Sequence, residues 1–486
     1  MHSEIIIQNV TFIKLEPLNL NGLLYVTKSH IFCKLNKSNT LMRYYSLIII
    51  FFTMISFNLS SDLSAQQMQT PVPVSKSEMS EIIASLSKQV KDNYVNEDTG
   101  IKMADFITSQ LSAGKYDNIQ DMREFLMEIQ KDLISVSHDK HFNVQYAPVL
   151  AKEIIERKDD KDVLRVNEDE LMKKENYAFK KVEILPGNVG YIDMRMFYYS
   201  DESKKTVDAV MNFVSNADAV IFDMRNNGGG DPNLIKYITS YLFDSKPVHL
   251  NDIYNRVENK TKEFWTLENV PGKRIPNVPV YVLTSGFTFS GAEEFSYNLK
   301  NLKRATIIGE TTGGGANPVN SFAVTNKIVA RIPIAKAISP ITKTNWEGTG
   351  VSPDVPVSSG DALNKAMSIA LEQLSMKAGD PQWKSALEWS RSVYDAKLNP
   401  YSPDKADLEK MAGDYGRRLI TFENGDLMYK NKRWMDSKKM ISLSKDTYMI
   451  ETMDDVIIKF TWEGDKVKGI NIIPMNAPED YSEKVN

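Results

Sequence analysis

A chain of 486 residues is long enough for two to four compact units. Its 59 Lys and Arg against 63 Asp and Glu leave a net charge of -4 with no long basic run, which excludes a nucleic-acid partner held by phosphate neutralisation. The single cysteine, Cys33, excludes a disulfide scaffold, a zinc ribbon and an iron–sulfur site, each of which needs several thiolates at one point.

Taken in chain order, residues 43–57 read RYYSLIIIFFTMISF, a basic residue followed by an unbroken apolar run, with small and polar residues after it up to Ala65. This is a signal-peptide layout over 42–65, and the apolar run is shorter than the roughly 20 residues a spanning helix needs. Leu63-Ser64-Ala65 is the expected cleavage site, and residues 1–41 read as an upstream extension. The expectation is an exported protein, periplasmic or secreted; the alternative is a membrane anchor formed by an uncleaved leader. Because Cys33 would leave with the leader, neither a lipid anchor on cysteine nor a thiol nucleophile is expected.

From Ser75 to Ser137 the apolar residues recur at helical spacing (Ile82, Ile83, Leu86, Val90, then Met122, Phe125, Leu126, Ile129, Leu133) and predict an N-terminal helical domain over 72–148. Residues 150–180, rich in Lys, Glu and Asp, read as a solvated connection with one helix. Between 180 and 378 short apolar runs (190–194, 219–223, 278–284, 305–309) alternate with helical stretches (203–214, 232–243, 290–302), which predicts an α/β core with strands buried on both faces. A hairpin at about 320–336 and a helix at 361–375 complete it. After Asn399-Pro400, a short helix and several strands separated by Glu-Asn-Gly-Asp and Trp-Glu-Gly-Asp turns predict a small antiparallel β module over 403–486.

Four segments carry possible chemistry. Ser290, in Thr284-Ser-Gly-Phe-Thr-Phe-Ser-Gly-Ala-Glu, follows a buried strand and opens a helix, where free N–H groups favour developing negative charge; it is either a nucleophile or a plain N-cap. Asp223-Met-Arg-Asn-Asn-Gly228-Gly229-Gly230 can turn backbone N–H groups toward an oxyanion, or be a tight turn. His138 and His141, in Ser137-His-Asp-Lys-His-Phe, are two of the three histidines beyond the leader and the main supply of an imidazole base; as a metal site they lack an obvious third ligand. Glu347, in Asn345-Trp-Glu-Gly-Thr-Gly350-Val-Ser-Pro-Asp354, could orient that imidazole.

In this order and spacing the segments, together with Ile308-Gly-Glu-Thr-Thr-Gly-Gly-Gly-Ala316, resemble the serine peptidases that comprise carboxyl-terminal processing peptidases, tricorn core peptidase and the modules of interphotoreceptor retinoid-binding protein. Where the processing branch places a catalytic lysine, this chain has Gly315, so the resemblance is to the tricorn and retinoid-binding branch, which uses histidine and glutamate. The resemblance implies a crotonase/ClpP-like layered α/β core, no PDZ insertion between His141 and residue 189, and no metal or organic cofactor. It implies Ser290 as nucleophile, His141 as base with His138 as the alternative, and Glu347 as its orienting acid with Glu310 as substitute. The N–H groups of Gly291 and of Gly228 or Gly229 would form the oxyanion hole. The implied function is an exported serine endopeptidase acting on peptides or unfolded proteins. A non-catalytic binding module for hydrophobic ligands or proteins on the same scaffold is the alternative, and an acyl-CoA enzyme a weaker one.

Overall fold

The structure, a computed structural model, describes residues 71–156, 169–433, 436–451, 453–475 and 477–485, so the expected leader and extension lie outside it. Three helices open the described chain, α1 (Lys76–Asn93), α2 (Glu97–Ser112) and α3 (Met122–Ser137), and a shorter α4 (Pro148–Glu156) precedes the central sheet. Ser75 caps α1 in a reciprocal box, its hydroxyl accepting the Glu78 N–H while the Glu78 carboxylate accepts the Ser75 N–H. Ile82, Leu86, Val90, Ile107, Phe125, Ile129 and Leu133 are fully buried, and their spacing along each helix is what turns one stripe inward. This bundle does not close on itself. Its core includes Ile328, Ala330 and Ile332 of β10 (Ile328–Pro333), which forms the middle of a three-stranded antiparallel sheet between β1 (Asn143–Tyr146) and β9 (Val319–Ala323).

The centre of the molecule is a six-stranded sheet in the order β12, β8, β7, β4, β3, β2, with ranges Val355–Pro356, Ala305–Gly309, Val280–Thr284, Ala219–Asp223, Val189–Met194 and Phe179–Leu185. Neighbours from β12 to β3 run parallel, and β2 pairs antiparallel at the edge. Strands β3, β4 and β7 are buried at every position, as strands covered by helices on both faces must be. Alternate residues divide between two layers. Ile192, Val220, Phe222, Val282 and Ile307 pack on α5 (Asp201–Phe213), α6 (Pro232–Tyr241) and α7 (Gly291–Asn301); Tyr191, Ala219, Ile221, Leu283 and Ile308 pack on α8 (Ala362–Lys377) and α9 (Pro381–Leu398). The expected α/β core is therefore present as a mixed three-layer arrangement.

Two larger features are among those that the sequence does not announce. The first is α9, although Asp380 and Pro381 supply an N-cap and a first-turn proline; its apolar residues are sparse because only one narrow side, with Leu387 and Tyr394, meets the core. The second is the hairpin of β5 (His249–Asn255) and β6 (Lys260–Trp265), which joins β11 (Ala335–Ile338) in a small sheet. Of β6 only Phe264 is buried, so its hydrophobic signal is weak.

The C-terminal region is an eight-stranded antiparallel meander from Gly413 to Glu483, with α10 (Lys405–Met411) inserting Leu408 and Met411 into its core beside Tyr415, Tyr448 and Phe460. Asn424-Gly425, both at positive φ, make the tight turn between two of its strands, as a right-twisted two-residue hairpin requires. Among the described residues no helix is long and apolar enough to cross a membrane.

Candidate active site

Adjacent parallel strands β4 and β7 each end in a loop that leads into a helix, and the crevice outside their carboxyl ends is where open α/β sheets place ligands. The β7 loop carries Ser290. Its backbone lies at φ 53°, ψ −121°, a region that costs a residue with a side chain about 1–3 kcal/mol and that recurs where a nucleophile is thrust out of a strand-to-helix turn. The loop is held from outside: Thr288 Oγ1 donates to the Met224 carbonyl, and the Phe289 N–H to that of Asn227.

The β4 loop is fastened at its root by Asp223, whose carboxylate receives two bonds from the Arg225 guanidinium (2.9 and 2.6 Å) and one from Tyr191 (2.6 Å). Burial works to raise this carboxyl, but those donors hold it below the ordinary aspartate value. Next in the loop, the fully buried Asn227 amide donates to the Met194 carbonyl and accepts the Gly229 N–H at 2.9 Å. The Gly228 N–H points to the Arg195 carbonyl at 3.3 Å. The expected oxyanion donors Gly228 and Gly229 are thus corrected: both N–H groups are already engaged. Among the described residues, those of Gly230 and Gly291 donate to no acceptor, and the two glycines pack so closely that a Cβ on Gly291 would lie 2.9 Å from the Gly230 nitrogen. At Gly229, φ +109° and a Cβ that would fall 2.7 Å from Ser290 Cβ admit only glycine.

His141 arrives from the opposite side, between α3 and β1. The turn begins at His138, the left-handed C-cap of α3, which is exposed and does not line the cavity described below. Asp139 is buried; one carboxylate oxygen accepts the His141 N–H at 2.9 Å, and the other accepts the Asn317 amide at 2.8 Å. The first of these oxygens lies 3.4 Å from His141 Nδ1. Ligand-type atoms of Asp139, His141 and Glu347 all fall within 4.8 Å of one another, so the imidazole has two carboxyl groups beside it. Glu347 accepts the Ala316 N–H at 2.6 Å through one oxygen, while its other oxygen is buried without a partner. Burial, then the negative charge of Asp139, pushes its carboxyl up to about 7. Glu310 stands elsewhere, accepting the N–H groups of Gly286 and Ser359.

Ser290, His141, Gly230 and Gly291 line one cavity of about 760 Å³, large enough for a peptide segment. Both imidazole nitrogens are buried without a hydrogen-bond partner, so Nε2 is uncommitted. A metal ion could in principle use Asp139, His141 and Glu347, the only such group among the described residues; the third ligand sought beside His141 comes from a distant loop, and the neighbouring histidine is not part of it.

Glu293 escaped the sequence reading. Fully buried one turn after Ser290, it accepts the N–H groups of Ser290 (2.8 Å), Gly314 (2.7 Å) and Gly315 (2.8 Å) and the Thr312 hydroxyl (2.5 Å). Burial raises its carboxyl even against those donors. One carboxyl group therefore fastens the turn at Ser290 to the glycine strand beside the imidazole. Its signal was available: glutamate three residues after an N-cap serine is the capping-box position. Trp346, buried, donates from its indole to the Gly315 carbonyl at 2.7 Å and fixes the Glu347 loop to the same strand.

At position 315 a Cβ would lie 2.5 Å from His141 Cε1 and 2.2 Å from Phe289 Cζ. A side chain there and an imidazole at 141 would claim the same space, which gives a physical reason why a base at one position goes with glycine at the other.

Residues 188–357 match peptidase family S41, and residues 67–186 match the N-terminal domain of that family in eukaryotic IRBP. Carboxyl-terminal-processing peptidase 2, chloroplastic, of Arabidopsis thaliana is 27% identical in an alignment 190 residues long that covers 36% of this chain; the chain spans about a third (34%) of that relative's length. Similar solved structures include a lipoprotein from Streptococcus agalactiae (16% identity, TM-score 0.40, 62% of this chain and 98% of that one). The tricorn protease is another (15% identity, TM-score 0.39, 61% and 37%).

Proposed function

The chain belongs to peptidase family S41, and from that premise we propose that it is an exported serine endopeptidase acting on peptides or unfolded proteins. The observation that carries this reading is the convergence of Ser290 and His141 on one cavity, with Asp139 and Glu347 beside the imidazole. We read the three-layer core as the crotonase/ClpP-like arrangement and residues 42–65 as the export signal.

In the proposed reaction the Ser290 hydroxyl gives its proton to His141 Nε2 as its oxygen attacks the scissile carbonyl. The imidazolium so formed faces the two carboxyl groups, which favour its charge and keep the ring turned toward the serine. The tetrahedral oxyanion takes the N–H groups of Gly230 and Gly291, donors worth roughly 3 kcal/mol each in the transition state. His141 then returns the proton to the leaving amine, and water, deprotonated by the same imidazole, releases the acyl group. Every step runs through residues of this chain. The binding-module alternative would leave the strain at Ser290 and the uncommitted imidazole without a use.

A fluorophosphonate probe tests the reading. Covalent labelling of the wild type that disappears in Ser290→Ala is expected, accompanied by hydrolysis of an unfolded protein substrate. An unlabelled wild type, or equal labelling of the variant, refutes it.

A further inference from the structure

One wall of the cavity carries groups that the proposed mechanism does not use. Glu294, on α7 one turn beyond Ser290, is 6% exposed and lines the cavity. At 1.5 Å per helical residue its Cα lies roughly 6 Å along the axis from that of the nucleophile, about the reach of a long side chain. Asp231, the N-cap of α6 directly after the glycine loop, lines the same wall. So does Ile253 of β5, and Asn251 lies two residues back on the same strand face. Asn251 is fully buried, and neither its amide nitrogen nor its oxygen has a hydrogen-bond partner. It sits beside the Glu294 carboxyl and favours its ionised form, yet their geometry falls short of a hydrogen bond.

One Asp231 oxygen already accepts the Asn233 N–H and side-chain amide, both at 2.7 Å; buried polar groups are normally satisfied, and the Asn251 amide left open beside Glu294 calls for a partner from outside. The missing partner has a definite charge. Among the described residues no cation forms an ion pair with Glu294 or Asp231. Lys236 feels Asp231 but also Lys262. Lys140 on the cavity wall is committed to the Gly313 carbonyl. Burial, with Asp231 adding to it, pushes the empty Glu294 carboxyl up to about 8, and a cation seated beside it would favour the ionised form.

We propose that Glu294, with Asp231 and the Asn251 amide, forms the subsite that receives a lysine or arginine side chain from the residue contributing the scissile carbonyl, so that cleavage follows basic residues. A guanidinium or ammonium would meet the Glu294 carboxylate in a charge-assisted pair and donate a further bond to the Asn251 side-chain amide oxygen. This inference rests on the peptidase reading, since it needs Ser290 as the reacting group.

The test uses four fluorogenic peptides that differ only in the residue before the scissile bond: arginine, lysine, citrulline (the neutral isostere of arginine) and norleucine. The wild type is expected to cleave the arginine peptide with a kcat/KM at least tenfold above that for citrulline. Glu294→Gln is expected to bring that ratio near one, and Glu294→Asp to keep part of it. Because the ratio is internal to each protein, loss of folded material cancels; if Glu294→Gln does not fold, Asn251→Asp, which adds a carboxylate, is expected to raise the ratio. A wild type that labels with fluorophosphonate at Ser290 but shows no preference for arginine over citrulline overturns the subsite and leaves the peptidase reading intact. An unchanged ratio in Glu294→Gln overturns it equally, whereas absence of labelling refutes the peptidase reading itself.

Discussion

Replacing Gly315 by alanine tests whether the imidazole position is set by the space that glycine leaves. The backbone at 315 is outside the left-handed region, and its N–H bond to Glu293 would survive, so the added methyl acts through contact alone. That methyl would lie 2.5 Å from His141 Cε1 and 2.2 Å from Phe289 Cζ, where ordinary contact begins near 3.4 Å. The two rings are packed together with centroids 4.6 Å apart and must yield as a pair by about 1 Å. A reacting group misplaced by about 1 Å can lose 10²-fold in rate, or about 2.7 kcal/mol of transition-state stabilisation. The expected result is a fall of roughly 10²-fold in kcat/KM on a peptide substrate and a parallel fall in the rate of fluorophosphonate labelling. Gly313→Ala is the control, because a Cβ there meets Phe289 at 2.7 Å and comes no nearer than 3.4 Å to His141; its loss is expected to stay below about tenfold. A Gly315→Ala enzyme within threefold of wild type, or equal losses in the two variants, would refute the argument.

Glu347→Gln is expected to depress kcat/KM most above pH 7 and to converge with wild type near pH 5.5, where the carboxyl raised to about 7 is already protonated; a pH-independent gap between the two profiles would count against its charge mattering. The same shift has a stability consequence. A carboxyl held above its unfolded value binds its proton more tightly in the folded state, so its contribution is full below the unfolded value and is lost as pH rises to about 7. Thermal unfolding should accordingly find Glu347→Gln gaining on wild type between pH 5 and pH 8, and a constant difference in Tm would show the opposite. Gly229→Ala, at φ +109° and with its Cβ 2.7 Å from both Ser290 Cβ and the Gly291 nitrogen, is expected to cost at least about 2 kcal/mol of stability and nearly all probe labelling. Denaturant unfolding within about 0.5 kcal/mol of wild type would contradict it.

What could be read in advance follows a physical division. Ser290 at a helix start and the glycines before Asp231-Pro232 are local punctuation: turn chemistry and caps act within a few residues, so their signal lies in a short window. The strands around them were legible because burial on both faces writes continuous apolar runs. The choice between His138 and His141 was not local. It depends on which face of the turn after α3 meets the core, and that is set by Asp139 bonding to Asn317 and by β1 pairing with β10 far along the chain. Of the expected oxyanion donors, Gly291 keeps a free N–H while Gly228 and Gly229 do not, for a similar reason. Asn227 was visible, but that its side chain would turn back to occupy the Gly229 N–H is a matter of loop geometry. Glu293 had a sequence signal, yet its four partners come from both ends of the cavity wall.

His141 stands on the segment that leaves the helical bundle, while Ser290 and Glu347 stand on loops of the central sheet, so neither half of the molecule holds a complete set. On the proposed mechanism the base would emerge first during synthesis and the nucleophile much later, and the helices that lead to His141 share their core with β10, which follows Ser290 in the chain. On that mechanism a chain caught half-made would be inert toward its own unfolded neighbours. The same partition offers a place to divide the protein into two harmless fragments whose reunion would act as a switch.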